Sequence, residues 1–420
     1  MTMSTDVSDY TNERVDEELT KLFVDRAQVP EPWGLYGWLR ENAPIREWRG
    51  ITLVTRYAHV NALFRDPRIS RQEAAIREKE ANRPDDVVAG SLLEEANRAR
   101  ASMLINQDDP GHRRVRKLLD KAFRPKAVAE WLPTVQAVTD ELITRVEGRS
   151  EFDLLEELAY PLPEAVICDL MGVPREDHAL WTSWIDAAVA SSRTSEPTPE
   201  KQQQVTEALV GFLQYFRTLV ARRRDDLGDD LVSHMIRLEA EGDQLSELEL
   251  MGTLQMLIVA GSETTSNLIG NSMLALLRAP DQYELLRRDP SLMPGAVEEF
   301  LRTASASDWA LPRVATDDIE LDGSVIRKGS LVVFSIGSAN RDPEIFQDPE
   351  RLDIQRMNNR HIGFAAGPHF CLGALLARRE GTAMLEAIMT RLPELELAEE
   401  PEYKSTFVRA LKSLQVRVKK

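Results

Sequence analysis

Two cysteines in 420 residues leave little room for sulfur-built sites. A structural zinc site or an iron–sulfur cluster made from thiolates alone needs more. Cys168 and Cys371 lie far apart and make no disulfide framework. Long apolar runs are also missing. No stretch reaches the roughly 18 uninterrupted apolar residues of a membrane span. Met1 to Thr20 is polar and acidic, without the apolar core of a secretory signal. Together these absences lead us to expect a cytoplasmic protein. Positive charge is scarce: 52 Lys and Arg face 69 Asp and Glu, a net charge of −17. That balance argues against general affinity for nucleic acid or anionic membrane. No repeat and no linker-like stretch divides the chain. We expect a polar tail over 1–20 and a single domain over 21–420.

What is present reads as mainly α with a small β region. The clearest helix runs from Glu247 to about Ala279, with Ser246 and Glu249 as a capping box and Pro280 as a stop. Its middle, Leu254 to Ala260, is almost wholly apolar, as in a helix buried on several sides. Hairpins are expected near Arg49-Gly50 and at Asp322-Gly323, and a buried strand over Ser330 to Ile336. Arg77 to Arg100, with room for some helix, and Arg193 to Gln204 read as mobile segments.

Four constellations carry chemistry. Cys371 ends the run Phe364-Ala365-Ala366-Gly367-Pro368-His369-Phe370-Cys371, just ahead of a helical stretch starting near Leu372. A lone cysteine there suits one thiolate on one metal centre, or a plain buried cysteine. Ala260-Gly261-Ser262-Glu263-Thr264-Thr265 interrupts the apolar helix with polar groups. An acid beside a hydroxyl can move protons through water; alternatively the hydroxyls bond back to helix carbonyls. Glu299 and Arg302 sit at i and i+3, the spacing of an ion pair. His112 and Arg116 lie one turn apart, with Asp109 placed to cap their helix. They make an anion site or part of a solvated basic face, for Arg113, Arg114, Lys117 and Lys121 surround them.

In their order these motifs resemble those of the cytochrome P450 family, the soluble bacterial haem-thiolate monooxygenases. The cysteine run is similar to F-x-x-G-x-H-x-C-x-G, the central helix to A-G-x-[DE]-T-[TS], Glu299…Arg302 to E-x-x-R and His112…Arg116 to H-x-x-x-R. Ala339 to Pro343, followed by Asp348 to Arg351, is similar to the segment leading to the cysteine loop. The resemblance spans about Trp33 to Val418.

The resemblance implies the cytochrome P450 fold, with heme b (iron protoporphyrin IX) between the central helix and the cysteine loop. Cys371 would be the axial thiolate and the metal ligand, with Phe364, Gly367 and Gly373 around it. His112, Arg116, Arg313 and His369 would partner the haem propionates. Thr264 and Glu263 would form the distal alcohol–acid pair, and Glu299, Arg302 and Arg351 a structural charge triad. It implies insertion of one oxygen atom from O2 into a C–H or C=C bond of a medium-sized hydrophobic substrate. A polyketide, terpenoid, steroid or fatty acid would qualify. Electrons would come from NAD(P)H through an external ferredoxin reductase and ferredoxin, since the chain reaches Lys420 without a flavin or iron–sulfur domain. Arg113, Arg114, Lys117 and Lys121 would face that ferredoxin. A monomer is expected. The alternatives are a peroxide-driven peroxygenase of the same fold and a non-catalytic haem protein. Candidate pocket residues are Ala260, Trp309, Leu311 and Phe407, with Trp309 either pocket or core. One departure stands out: Ala365 occupies a position where the family usually has glycine.

Overall fold

The computed structural model describes residues 10–81, 90–191, 198–240, 245–404 and 408–419. Helices dominate it. The central helix, Glu247–Leu277, opens on the expected capping box. The Glu249 amide donates to Ser246 Oγ at 3.2 Å, and the Ser246 amide donates to Glu249 Oε2 at 2.8 Å. The helix stops before Pro280, which starts the next one, Pro280–Arg288. Its 31 residues span about 46 Å at 1.5 Å each. Pro161–Met171 packs along it on one side, and Ala374–Arg391 and Met293–Thr303 on others. Being flanked this way explains why its sequence is apolar nearly all round. Gly252 allows a close crossing, since a Cβ there would lie 2.1 Å from the Ala99 carbonyl oxygen on helix Leu92–Ala101.

Strands are few and short. Ile45–Trp48 pairs antiparallel with Ile51–Val54. Arg49 and Gly50 between them take φ of 47° and 79°, as a tight two-residue hairpin requires. Ile319–Leu321 and Ser324–Ile326 pair likewise around Asp322 (48°) and Gly323 (77°). The expected buried strand forms as Leu331–Phe334, parallel to Ile51–Val54 and antiparallel to Arg313–Ala315. Ile69–Ser70 completes this five-stranded sheet. Its role is to deliver Arg313 from one edge of the core.

Two expectations are corrected. The tail expected over 1–20 contains most of a helix, Asn12–Val24. Val15, Leu19 and Leu22 recur at helical spacing and bury against Leu35, Tyr36 and Trp48. The described parts of the two segments are helical over most of their length, in Arg71–Ala81, Leu92–Ala101 and Pro199–Asp225, as expected for parts of the first but not for the second. Residues 82–89 and 192–197 of those segments lie outside the described residues. Ser91 and Thr198 supply side-chain N-caps that turn charged sequence into helix starts.

Candidate active site

The cysteine loop is folded by its own backbone. The Cys371 amide donates to the Phe364 carbonyl at 3.0 Å, and the Phe370 amide to the Gly367 carbonyl at 3.1 Å. Gly367 has φ +71°, and a Cβ on it would sit 2.4 Å from the Phe64 carbonyl oxygen. Glycine is therefore required there twice over. Ala365 has φ +60°, so its methyl is held in the left-handed region. Cys371 is half-buried. Burial pushes its thiol up, while the Gly373 amide, Arg116 and Arg378 oppose the shift. The following helix, Ala374–Arg391, starts two residues later than expected, with Gly373 at its N-cap. A Cβ on Gly373 would meet nothing within 4 Å.

Around His369, two residues before the thiol, basic groups converge from three other parts of the chain. The rings of His369 and His112 lie 4.3 Å apart, centroid to centroid. Burial pushes His369 down to about 3, and His112, Arg313, Arg71 and Arg116 push it further. Burial also lowers Arg313 to about 10, with Arg71 adding to it. The Arg313 guanidinium lies 5.0 Å from the centre of the Phe64 ring and 5.3 Å from that of Phe334, and donates to the Leu311 carbonyl at 3.0 Å. His112 is lowered by burial and by Arg116. Its Nε2 is buried without a hydrogen-bond partner among the described residues. Arg116 donates to the Phe370 carbonyl at 2.6 Å and to Asp120 at 2.8 Å, tying helix Gly111–Ala122 to the cysteine loop. Asp109 takes Arg113 as a partner at 3.1 Å, and the N-cap position falls on Pro110 without a side-chain cap.

These residues fit a haem. A buried cluster of Arg and His with an unpartnered Nε2 calls for an anion of more than one charge, which two propionates supply. A thiol raised by burial gains from a cation at its sulfur. Arg71, at the start of Arg71–Ala81, belongs to this cluster and was not legible in the motifs. The signal is only one arginine entering an otherwise charged helix.

The central helix is buried from Leu250 to Ile258 and from Thr265 to Leu274. Between these stretches Ala260 and Thr264 are exposed, and Glu263 is half-buried. The Thr264 hydroxyl donates to the Ala260 carbonyl at 2.7 Å, which leaves its oxygen able to accept. Ser262 and Ser266 also bond back, to Ile258 and Ser262. The polar run thus combines both sequence readings: back-bonded hydroxyls, and an opening at the middle of a buried helix. Gly261 is not crowded, for a Cβ there would meet only Ile167 at 3.8 Å. One buried acid below this run was missed. Glu380 on Ala374–Arg391 shares a hydrogen bond with Thr265, and burial raises it to about 8. Alternating charge along that helix hides it, since Arg378, Arg379 and Glu380 are consecutive.

Two expected placements change. Glu299 and Arg302 form a buried bidentate pair, both bonds at 2.8 Å. The second cation on Glu299 is Arg356, at 3.1 and 3.2 Å, not Arg351. Arg351 brings its carbonyl to this site, accepting from Arg302 at 3.0 Å, while the residue itself is exposed. Trp309 is core, not pocket. It is 3% exposed and packs on Tyr36 and Phe23 at 5.6 and 5.2 Å. Its neighbour Leu311, two residues on, is 38% exposed. Phe407 lies outside the described residues.

The cytochrome P450 family model matches residues 72–415. Cytochrome P450 107B1 of Saccharopolyspora erythraea is 38% identical over 410 residues, covering 94% of this chain and 97% of that protein. The polyketide biosynthesis cytochrome P450 PksS of Bacillus subtilis is 36% identical over 401 residues, 93% of this chain and 96% of its own. Its solved structure superposes with a TM-score of 0.82 over 93% of this chain and 97% of that one, at 34% identity. Cytochrome P450 monooxygenase PikC of Streptomyces venezuelae is 36% identical over 401 residues, 92% of this chain and 91% of PikC. Among the described residues no helix is long and apolar enough to cross a membrane. The chain belongs to the cytochrome P450 family, whose members are haem-thiolate proteins that use O2, and it is an oxidoreductase of the monooxygenase kind.

Proposed function

We propose that this P450 inserts one oxygen atom into a C–H or C=C bond of a medium-sized hydrophobic molecule of polyketide type. The observation that carries the reaction class is the placement of a thiol beside a buried cation cluster, together with an alcohol–acid opening in the central helix. The substrate class draws on the likeness to a protein named for polyketide biosynthesis. Cys371 would supply the thiolate that holds heme b, and His112, Arg313, His369 and Arg71 would hold its propionates. When bound, the haem supplies O2 activation and oxygen transfer. Arg116 fixes the cysteine loop from the side of Gly111–Ala122. Thr264 keeps its hydroxyl fixed on the Ala260 carbonyl and presents its oxygen to a water. Glu263 takes protons from solvent and passes them toward Thr264. Electrons come from NAD(P)H through a reductase and an acidic ferredoxin that docks on Arg113, Lys117 and Lys121. On the same helix Arg114 pairs with Glu249 of the central capping box, and Arg113 with Asp109.

The test compares substrate oxidation driven by ferredoxin, reductase and reduced nicotinamide with oxidation driven by peroxide alone. Turnover with peroxide only would overturn the monooxygenase reading. Thr264→Ala is expected to consume reduced nicotinamide without matching product; unchanged coupling would remove its assigned role. A panel of polyketides screened for spin-state shifts of the haem tests the substrate class. A panel that leaves the spin state unmoved while steroids or fatty acids shift it would overturn that class.

A further inference from the structure

Two adjacent acids on helix Met293–Thr303 face different neighbours. Glu299 points to Arg302 and Arg356. Glu298 points to the two flanks of the cysteine loop, His361 before it and Arg378 on helix Ala374–Arg391, and takes three charge-assisted bonds. Arg378 Nε donates to it at 2.6 Å, Arg378 Nη2 at 2.9 Å, and His361 Nε2 lies 2.9 Å away. The His361 ring is oriented by its other nitrogen. The Gly363 amide donates to Nδ1 at 3.1 Å, so the ring proton sits on Nε2 and is donated to Glu298. Gly363 is fitted against the same helix, since a Cβ there would lie 2.5 Å from the Leu301 carbonyl oxygen. From Glu298 the chain of contacts continues to the thiol. The Arg378 guanidinium stands 4.6 Å from the centre of the Phe364 ring. The Phe364 carbonyl accepts the Cys371 amide at 3.0 Å. Glu298 is held down at about 2, with His361 and Arg378 outweighing its burial, so the carboxylate stays charged at neutral pH.

We propose that Glu298, Arg378 and His361 are positioning residues for the thiolate ligand: a charged clamp that holds Phe364 and the loop behind Cys371 and sets the electrostatics at its sulfur. None of the three falls in the motifs that point to the family. The proposal rests on the reading of Cys371 as the haem ligand. Arg378 is a fixed positive charge within electrostatic reach of the sulfur. Removing it makes the thiolate less stabilised and lowers the haem reduction potential. Neutralising Glu298 leaves Arg378 uncompensated and raises that potential. A residue with a merely structural role would not give opposite signs.

The experiment uses the haem-loaded protein, with Arg378→Met, Glu298→Gln, Arg378→Lys and a control, Arg391→Met. The control breaks ion pairs with Asp140 and Glu147 at the far end of the same helix. Midpoint potential is measured by redox titration. The red-shifted Soret band of the ferrous carbon monoxide adduct is followed as it converts to the unshifted form. Arg378→Met and Glu298→Gln are expected to shift the potential in opposite directions and to speed conversion about tenfold, the loss of one charge-assisted bond. Arg378→Lys is expected to keep the potential and still convert faster, because the bidentate fork is gone. If Arg378→Met does not fold, Glu298→Gln and Arg378→Lys still decide. Wild-type potentials and conversion rates in both, or shifts matched by Arg391→Met, overturn the clamp. If the wild type itself lacks the red-shifted band, the Cys371 reading fails instead, which is a separate outcome.

Discussion

Arg356 reaches Glu299 with one nitrogen placed between both carboxylate oxygens, at 3.1 and 3.2 Å. Arg302 grips the same carboxylate from the other side, and the amides of Asp353 and the side chain of Asn359 complete its shell. The carboxylate is 1% exposed. A charge buried that deeply needs each of its partners. Arg356→Ala is expected to destabilise the fold by roughly 2 kcal/mol. Arg351→Ala should stay within about 0.5 kcal/mol, as its backbone carbonyl is retained. Thermal melts of the two variants check this, and equal losses would contradict the assignment.

Glu380 gives the protein a pH dependence. Its carboxyl is raised from an ordinary 4.5 to about 8 by burial. In the folded state it keeps a proton that the unfolded state releases. Stability therefore falls as pH rises from about 4.5 to about 8, and the whole penalty is present above that. Glu380→Gln removes the penalty. Its Tm relative to wild type should climb between pH 5 and pH 9, read by circular dichroism. A pH-independent difference would place the group in contact with solvent.

Two neighbouring positions in the cysteine loop should respond oppositely to loss or gain of a methyl. Gly367→Ala puts a Cβ 2.4 Å from the Phe64 carbonyl oxygen at φ +71°. Haem incorporation should fall sharply, measured as haem absorbance per protein. Ala365→Gly relieves a left-handed alanine at φ +60°. The gain of about 1 kcal/mol is offset in part by greater freedom of the unfolded chain. The outcome should lie between no change and about 1 kcal/mol of added stability, and a clear loss would contradict it.

Arg113 and Lys117 are exposed on Gly111–Ala122, the helix that Arg116 fastens to the cysteine loop. Charge reversal to Glu at both should slow reduction by an acidic ferredoxin at low salt. The difference from wild type should narrow as salt is raised, because surface attraction is screened. Stopped-flow reduction across a salt series reads this. A salt-independent defect would move the docking site elsewhere.

The local signals were legible because they depend on near neighbours in the chain. The capping box at Ser246 and Glu249 lies within one turn, and the hairpins at Arg49-Gly50 and Asp322-Gly323 follow from φ preferences. The Cys371 loop, the Glu263-Thr264 pair and the Glu299…Arg302 pair are each contiguous or one turn apart, so spacing alone exposed them. The tail did not read as a helix because its apolar face, Val15, Leu19 and Leu22, has meaning only against Leu35 and Tyr36.

The sequence by itself therefore pointed to the family and singled out Cys371 and Glu263-Thr264 as the candidates for its chemistry. Tertiary structure decided which distant groups meet. Arg356, and not Arg351, closes on Glu299. Arg71 joins His112, Arg313 and His369 from a different helix. Trp309 turns into the aromatic core with Tyr36, while Leu311 stays exposed. Glu298 meets His361 and Arg378 across some 60 to 80 positions of chain. Charge pairing and desolvation act through space, and only the folded path of the chain sets those distances.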